Sequence, residues 1–267
     1  MNVATQLTPE TLAQGVAELC RRDPHLAAVV ARFGPPPLWD RAPGFTTLVQ
    51  IILEQQVSLA SGRAAYGRLE SAAGAVTPES IAALDEPALQ SAGLTRQKAR
   101  YIRELARAIV AGEFDTAAVG TLDDDAAREA LIALKGIGPW TADIYLLMGL
   151  CRPDVWPTGD LALVAAIREV KRLRTDLDPR RLQRITNSWR PWRAVAARVL
   201  WHHYLSTPRR RISAATPPQP RRAARSRRPD RTGRRSGTRS ATSARASVGV
   251  ASSRRAARTP RGGRRRG

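Results

Sequence analysis

The sequence predicts an all-α fold, and three observations support this prediction. A capping residue followed by proline, a pair typical of helix starts, recurs as Thr8-Pro9, Asp23-Pro24, Thr77-Pro78 and Asp178-Pro179. Apolar residues follow these starts at helical spacing, as Leu12, Val16 and Leu19 do after the first. The sequence shows no convincing pair of alternating strands and no Asn-Gly hairpin signal.

The helices can be placed in order along the chain. After two N-terminal helices, a Gly/Pro-rich connection from Gly34 to Gly44 is long enough to cross between two helical lobes. Apolar spacing then predicts one helix from about Phe45, which includes VQIIL at 49–53, and another that begins after Thr95. Later helices are expected over 123–134, from about Pro139, and over 161–170.

Charge divides the chain into two parts. The 267 residues carry 44 Lys plus Arg and 23 Asp plus Glu, and 43% of them are hydrophobic, which is ample for a core. Residues 208–267 hold 20 of the arginines and one acid, Asp230, which leaves 24 basic and 22 acidic residues for 1–207. The arginine-rich tail has too few apolar residues to offset the cost of ordering its backbone, so we expect it to be disordered. The expected domains are therefore a folded body, 1–207, and a basic tail, 208–267.

Several classes of protein are unsupported by the composition. The two cysteines, Cys20 and Cys151, lie far apart and outside any Cys/His cluster, which argues against a disulfide framework, a zinc site or a cysteine-ligated iron–sulfur cluster. The chain has no apolar run of 18 residues and no basic-then-apolar leader. We therefore expect a cytoplasmic protein with no membrane partner. We also expect a monomer, because no heptad pattern indicates a second chain.

The segment LKGIGPWTA, 134–142, has the pattern of a tight turn between two helices. Gly136 and Gly138 bracket Ile137, so the apolar side chain can enter the core while backbone N–H groups face outward beside the next helix start. Such N–H groups are suited to bind a phosphate group. The alternative is an ordinary helical corner. Asp160, 20 residues after Trp140, is likewise either a plain helix N-cap or a functional acid.

The surrounding segments resemble the helix–hairpin–helix Gly/Pro-Asp superfamily of DNA glycosylases, and in particular the 3-methyladenine DNA glycosylase II branch. The hairpin motif spans 123–150, and the catalytic loop, 153–161, contains VWPTG before Asp160. Three other segments carry the resemblance in the family order: IILEQQVS at 51–58, AGLTRQKARY at 92–101 and WRPWRAVAARVLW at 189–201. The resemblance implies a two-lobed helical fold with a cleft between the lobes. It also implies a short form without the N-terminal α/β domain of longer members.

The resemblance assigns roles to individual residues. Asp160 would be the catalytic carboxylate that stabilises positive charge on the sugar. Where lyase members carry a lysine just before the Thr-Ala of the hairpin helix, this chain has Trp140, which implies hydrolysis without strand cleavage. Further residues are assigned by position: the phosphate-binding hairpin is Gly136, Ile137, Gly138 and Thr141, and the base pocket is Trp140, Trp201, Ile144 and Leu161.

Two of these pocket positions depart from the family, because Ile144 and Leu161 stand where the family has tyrosines. The resemblance also implies that Gln56 fills the space left by a flipped nucleotide. The alternative is a helix-ending glutamine with Val57 packed and Ser58 capping the next helix. No cofactor and no iron–sulfur cluster is expected, but the main-chain carbonyls of Ile132, Leu134 and Ile137 are candidates to bind a monovalent cation.

The resemblance thus implies a monofunctional glycosylase that removes alkylated bases of the 3-methyladenine and 7-methylguanine type from double-stranded DNA in base excision repair. It also implies association with the bacterial nucleoid. Two alternatives stay open at this point. One is a glycosylase for a deaminated or oxidised base, and the other is a non-catalytic DNA-binding protein whose tail compacts DNA. The tail is expected either to tether the protein to DNA by counterion release or to be a dispensable extension.

Overall fold

The computed structural model describes residues 6–174 and 177–207, and within them every regular element is helical. The predicted all-α class is therefore confirmed. The tail, 208–267, for which disorder was predicted, lies outside the described residues. The helices run as follows: α1 Pro9–Arg22, α2 Pro24–Phe33, α3 Phe45–Glu54, α4 Leu59–Ala73, α5 Pro78–Ala83, α6 Glu86–Ser91, α7 Arg96–Val110, α8 Thr116–Thr121, α9 Asp124–Ile132, α10 Pro139–Ile144, a π-helix Tyr145–Gly149, α11 Leu161–Val170, α12 Pro179–Asn187 and α13 Arg193–Ser206.

The four predicted capping pairs all begin helices. Thr8, Asp23, Thr77 and Asp178 each accept a backbone N–H of the first turn through the side-chain oxygen, and proline occupies the start of α1, α2, α5 and α12. These caps satisfy donors that have no partner inside the helix. The helix before the hairpin, expected over 123–134, begins after the cap Asp123 and ends at Ile132, two residues early, because a turn starts there.

The helices pack as two sets. In one set, α1 and α2 lie against α13, which also packs on α11. In the other set, α3 packs against α4 and α7, and α5 and α6 also lie on α7. The helix pair α9 and α10 belongs to this second set through the contact between α10 and α3. The described residues thus form two helical lobes, joined by the connection over 34–44 and by the residues around the π-helix.

Helix α13 is the central helix of the first lobe. It is buried around most of its circumference, as expected for a helix that is apolar on all sides. Its buried Arg198 donates hydrogen bonds to the carbonyls of Leu38 (2.6 Å) and Leu147 (2.7 Å), and thereby ties the connection over 34–44 and the π-helix to α13. Burial lowers the pKa of Arg198 to about 10, so the guanidinium is still charged at neutral pH. This anchoring fixes the helix that carries Trp201.

Candidate active site

The predicted hairpin is present between α9 and α10. Gly136 has a φ of +87° and occupies the third position of a turn closed by a hydrogen bond from Ile137 N to Leu134 O, 3.1 Å. Ile137 is 4% exposed and enters the core, while Gly138 is exposed at the start of α10. The expected geometry, with an apolar plug between two glycines and a helix N-terminus beside it, is therefore confirmed.

The hairpin turn also packs tightly on α7. A Cβ atom at Gly136 would lie 2.3 Å from ring atoms of Tyr101, a distance that real contacts do not reach. The left-handed φ and the close approach both require glycine at this position. The hairpin is thus held against the second lobe by a contact that no other residue allows.

Thr141, predicted to contribute to phosphate binding, lies inward. It is 2% exposed, and its hydroxyl accepts a hydrogen bond from Gln55 Nε2 at 2.8 Å. The same Gln55 amide donates to Gly136 O at 3.1 Å. In this structure the Thr141 side chain therefore links the hairpin to the end of α3 and does not lie at the surface where a phosphate would bind.

The loop that precedes Asp160 ends in a turn that presents the carboxylate. Gly159 has a φ of +81°, and Asp160 N donates to Pro157 O at 3.4 Å, the pattern of a turn with glycine at its third position. Asp160 is the N-cap of α11, and its Oδ1 accepts from Leu163 N at 2.8 Å. The capping alternative is therefore correct as local structure. It leaves Oδ2 and the remaining lone pairs for other partners.

Two tryptophans from different helices reach the Asp160 carboxylate. Trp140 Nε1, on α10, donates to Oδ2 at 3.1 Å, and Trp201 Nε1, on α13, lies 3.5 Å from Oδ1. Asp160 and Trp140 are half-buried, and Trp201 is 9% exposed. The structure thus brings together three residues that the sequence separates by up to 61 positions, at a point where the two lobes meet.

The other two predicted pocket residues differ in their accessibility. Leu161, beside Asp160, is 83% exposed, so a bound molecule can reach it. Ile144 is only 3% exposed and belongs to the core. The structure therefore places Ile144 inside the protein and not on an accessible wall, because the helix turn after Trp140 faces inward.

Each lysine of the chain is engaged away from Asp160. Lys135 pairs with Glu104 on α7 at 3.1 Å, and Lys171 pairs with Asp23 at 2.7 Å. Lys98 donates to the carbonyls of Leu53 (2.7 Å) and Gln55 (2.9 Å), and burial lowers its pKa. No lysine stands beside Asp160 in the described residues, which include all three lysines of the sequence.

Gln56 stands on the turn between α3 and α4 with its side chain exposed and a φ of +58°. Ser58 caps α4 by accepting from Ser61 N, as the structural alternative expects. The other part of that alternative is wrong, since Val57 is 47% exposed and not packed. The turn therefore presents Gln56 and Val57 together to solvent.

Sequence reasoning missed Asp143 on α10, which is 2% exposed and bonds both Arg128 and the backbone of Thr158. A signal was available: Asp143 is the single acid inside the run of buried residues 141–147, and a buried carboxylate needs partners.

Within the described residues, no group of three or more His, Cys, Asp or Glu is placed to hold a metal ion. None of the helices described is long and apolar enough to span a membrane.

Comparison with known proteins identifies the family of the chain. Residues 49–191 match the family model described as "HhH-GPD superfamily base excision DNA repair protein". The chain is 32% identical over 198 residues to the "Probable bifunctional transcriptional activator/DNA repair enzyme AlkA" of Mycobacterium tuberculosis. That match covers 70% of this chain and 39% of the relative, so the chain spans about two fifths of the relative's length.

Two further proteins show similarity over more of their own length. "DNA-3-methyladenine glycosylase 1" of Schizosaccharomyces pombe is 26% identical over 204 residues, which cover 74% of this chain and 88% of the relative. The crystal structure of a DNA-3-methyladenine glycosidase from Bacillus halodurans matches with a TM-score of 0.61 and 27% identity, over 77% of this chain and 94% of that one. The chain therefore belongs to the HhH-GPD superfamily of base excision DNA repair proteins.

Proposed function

We propose that this protein is a monofunctional DNA glycosylase that releases alkylated bases, of the 3-methyladenine and 7-methylguanine type, from double-stranded DNA. The observation that carries the proposal is the Asp160 carboxylate, which is half-buried and held by the indole N–H of Trp140. The names of the S. pombe and B. halodurans proteins support the same substrate class.

The reaction needs an anion beneath the sugar. When the bond between C1′ and the base nitrogen breaks, the base leaves with the bonding electrons and positive charge develops on the deoxyribose. A carboxylate about 4 Å away, at an effective dielectric near 20, stabilises that charge by about 4 kcal/mol, or on the order of 10³ in rate. Water then adds to C1′ and loses a proton, for which Asp160 is the nearby acceptor. An alkylated purine is already cationic, so it departs as a neutral base without an added acid.

The target base must leave the helix before Asp160 can act. Flipping costs a few kcal/mol, and the flipped base needs a surface on which to stack. The faces of Trp140 and Trp201 suit an electron-poor, alkylated ring. Gln56, exposed on its turn, is proposed to occupy the gap that the base leaves, and the N–H groups around Gly136 and Gly138 are proposed to hold the backbone phosphate.

The lysine contacts support a hydrolytic reaction. A lyase requires an amine that attacks C1′, yet Trp140 stands at the family's lysine position, and the Lys135 ammonium is paired with Glu104. We therefore propose that the product is an intact strand with an abasic site.

A monovalent cation is proposed at the hairpin, on the main-chain carbonyls of Ile132, Leu134 and Ile137. The donor set suits an alkali cation, since neutral carbonyl oxygens are hard ligands. Leu134 O already accepts one hydrogen bond and retains a second lone pair for a cation. Duplex affinity in potassium chloride is expected to exceed that in N-methylglucamine chloride at the same ionic strength, and equal affinities would remove the proposal.

The decisive experiment is incubation of the protein with methylated duplex DNA, followed by chromatography of the released bases. We expect 3-methyladenine and 7-methylguanine in the supernatant, and strand breaks only after alkali treatment. A covalent complex trapped by borohydride would contradict the hydrolytic mechanism. Release of hypoxanthine or 8-oxoguanine in place of alkylated bases would contradict the substrate class.

The assignment of Asp160 is tested by Asp160→Asn. The amide oxygen still accepts the N–H of Leu163, so α11 keeps its cap, but the negative charge is lost. Base release is expected to fall by on the order of 10³, with duplex binding retained. Asp178→Asn is the matched control, because Asp178 caps α12 in the same way, by accepting from Arg181 N at 2.9 Å. Equal activity of the two variants would refute the role of Asp160.

A further inference from the structure

The buried carboxylate of Asp143 connects three segments: helix α9, helix α10 and the loop before Asp160. It lies on α10, directly after the hairpin, and is 2% exposed. Its Oδ1 accepts from Arg128 Nε, on α9, at 2.7 Å. Its Oδ2 accepts from the backbone N–H of Thr158, in the loop before Asp160, at 2.9 Å. Both oxygens are thus used, one for each neighbouring segment.

Thr158 belongs to the turn that presents Asp160. The turn runs from Pro157 to Asp160, and Asp160 N closes it on Pro157 O. Thr158 is its second residue, so the hydrogen bond that Thr158 N donates to Asp143 fixes the turn from inside the protein. Asp160 follows two residues later. Because only Gly159 lies between them, a displacement of Thr158 would also displace Asp160.

Pro157 is buried, and Asp160 is held by Trp140 Nε1 and Leu163 N, but packing does little to hold the two residues between them. Thr158 and Gly159 are exposed, and both line an open, polar cavity of about 620 Å³, together with Arg128, Asp143 and Asp154. A segment that faces such a cavity has few apolar contacts to define its position. The hydrogen bond from Thr158 N to Asp143 is therefore a fixed point of this segment on α10, beside the bond from Trp140 Nε1 to Asp160.

We propose that Asp143 is a positioning residue for the reaction, which fixes the turn at 157–160 and thereby the place of Asp160 beneath the sugar. This inference rests on the proposed glycosylase function. Asp143 does not touch the reacting atoms. It couples the helix that follows the phosphate-binding hairpin to the loop that carries the catalytic carboxylate.

Loss of the hydrogen bond between Thr158 N and Asp143 is expected to lower the rate of base release. A displacement of a catalytic group by about 1 Å can lower a rate by about a hundredfold. Asp143→Ala leaves Thr158 N without its acceptor, while the Arg128 side chain, which is 34% exposed, can turn to solvent. We expect single-turnover release of 7-methylguanine to fall about a hundredfold, with unchanged affinity for duplex DNA that contains an abasic-site analogue.

A second variant separates positioning from charge. Asp143→Asn combined with Arg128→Gln keeps an oxygen for Thr158 N and lets the asparagine amide donate to the glutamine oxygen. This neutral pair should restore most of the rate that Asp143→Ala loses. It also keeps the inference testable if the alanine variant does not fold.

Asp23→Ala is the matched control. Asp23 is 7% exposed, accepts from His25 N at 3.0 Å and from Trp189 Nε1 at 2.8 Å, and pairs with Lys171 at 2.7 Å. Its loss therefore also removes a buried carboxylate with one backbone and one cationic partner, together with an indole partner. In the described structure Asp23 makes no hydrogen bond to the loop at 155–159. Its partner Trp189 reaches that loop through a ring contact with Trp156, with centroids 5.7 Å apart, and not through Thr158 N. We expect Asp23→Ala to lower the melting temperature but not the rate of base release at saturating enzyme.

Two NMR measurements test the inference without activity. In Asp143→Ala, the Thr158 amide should exchange with solvent about tenfold faster or more, the factor expected from the loss of a hydrogen bond to a charged acceptor. The indole N–H signal of Trp140, which reports its bond to Asp160, should also shift, and neither change should occur in Asp23→Ala.

The outcomes distinguish this inference from the function on which it rests. If the wild-type protein releases no alkylated base, the proposed function fails, while the amide and indole signals still decide whether Asp143 positions Asp160. If Asp143→Ala releases base at the wild-type rate, or leaves both NMR signals unchanged, the positioning role is overturned. A fall in rate that the double variant does not restore would also count against it.

Discussion

Gln56 has a backbone conformation that glycine usually supplies. It follows the C-cap of α3 with a φ of +58°, a left-handed conformation that costs other residues about 1 to 2 kcal/mol. Lys98 holds the carbonyls of Leu53 and Gln55 on the same turn, so the conformation is imposed by neighbouring contacts. The strained backbone of an exposed side chain supports the role proposed for Gln56.

Gln56→Gly is expected to separate stability from activity. Glycine relieves the left-handed strain, so the free energy of unfolding should rise by up to about 1 kcal/mol. Removal of the side chain leaves the gap of the flipped nucleotide unfilled, so base release from duplex DNA should slow, with a smaller effect on a mismatched target base that is easier to flip.

Gln56→Ala is the companion variant, because it removes the same side chain and keeps the strain. Denaturant unfolding and single-turnover kinetics should show two equally slow variants of different stability. A glycine variant with the wild-type rate would exclude Gln56 as the wedge.

Sequence reasoning placed Asp160 and Trp140 at one site because they lie only 20 positions apart, in adjacent parts of one motif. It could not find the contacts of Asp143, because Arg128 and Thr158 meet it only when the loop folds back on α10. It also assigned Ile144 to the pocket wall, since position in a motif carries no information on burial. The direction in which a helix turn faces depends on packing against the rest of the core.

At the scale of the element, the hairpin depends on one glycine. Gly136→Ala adds a methyl group that would lie 2.3 Å from the Tyr101 ring, on a backbone with a φ of +87°. The turn must move to relieve this clash, and the N–H groups proposed to bind phosphate move with it. We expect a loss of more than about 2 kcal/mol of stability and a marked loss of duplex affinity.

Gly74→Ala isolates the backbone part of this effect. Gly74 ends α4 with a φ of +75°, and a Cβ atom there would meet nothing within 4 Å. Its substitution should cost about 1 kcal/mol and leave duplex affinity unchanged. Thermal unfolding and fluorescence anisotropy with a labelled duplex measure both quantities, and similar results for the two variants would contradict the role of the close contact.

The helix starts were predictable because the capping residue and the proline that begins the helix are adjacent in the sequence, as in Thr8-Pro9 and Asp178-Pro179. The π-helix at Tyr145–Gly149 was not predicted, and it continues directly from α10. Its fifth-residue hydrogen bond, Leu150 N to Tyr145 O at 3.0 Å, accompanies a tertiary bond from Gly44 N to the Tyr145 hydroxyl. A wider helical turn of this kind depends on distant partners, which local sequence patterns do not reveal.

At the scale of the whole molecule, the sequence concentrates its positive charge in one segment. Residues 1–207 are close to neutral, with 24 basic and 22 acidic residues, whereas 208–267 carry 20 arginines and one acid. A neutral body gives weak electrostatic attraction to DNA at long range, so the tail is the main candidate source of nonspecific affinity.

The chain that ends at Thr207 should therefore bind undamaged duplex DNA with a weaker salt dependence than the full chain. Each phosphate neutralised by a cationic side chain adds about 0.9 to the slope of log affinity against log salt concentration. We expect the truncated slope to be shallower by about 3 or more, which corresponds to three or four phosphates. A full-length chain with glutamine at the 20 tail arginines controls for length and should behave like the truncated chain. Base release at saturating enzyme should be unchanged in both, because Asp160, Trp140 and Trp201 lie in the folded body. Equal slopes for the full and truncated chains would show that the tail does not tether the protein to DNA.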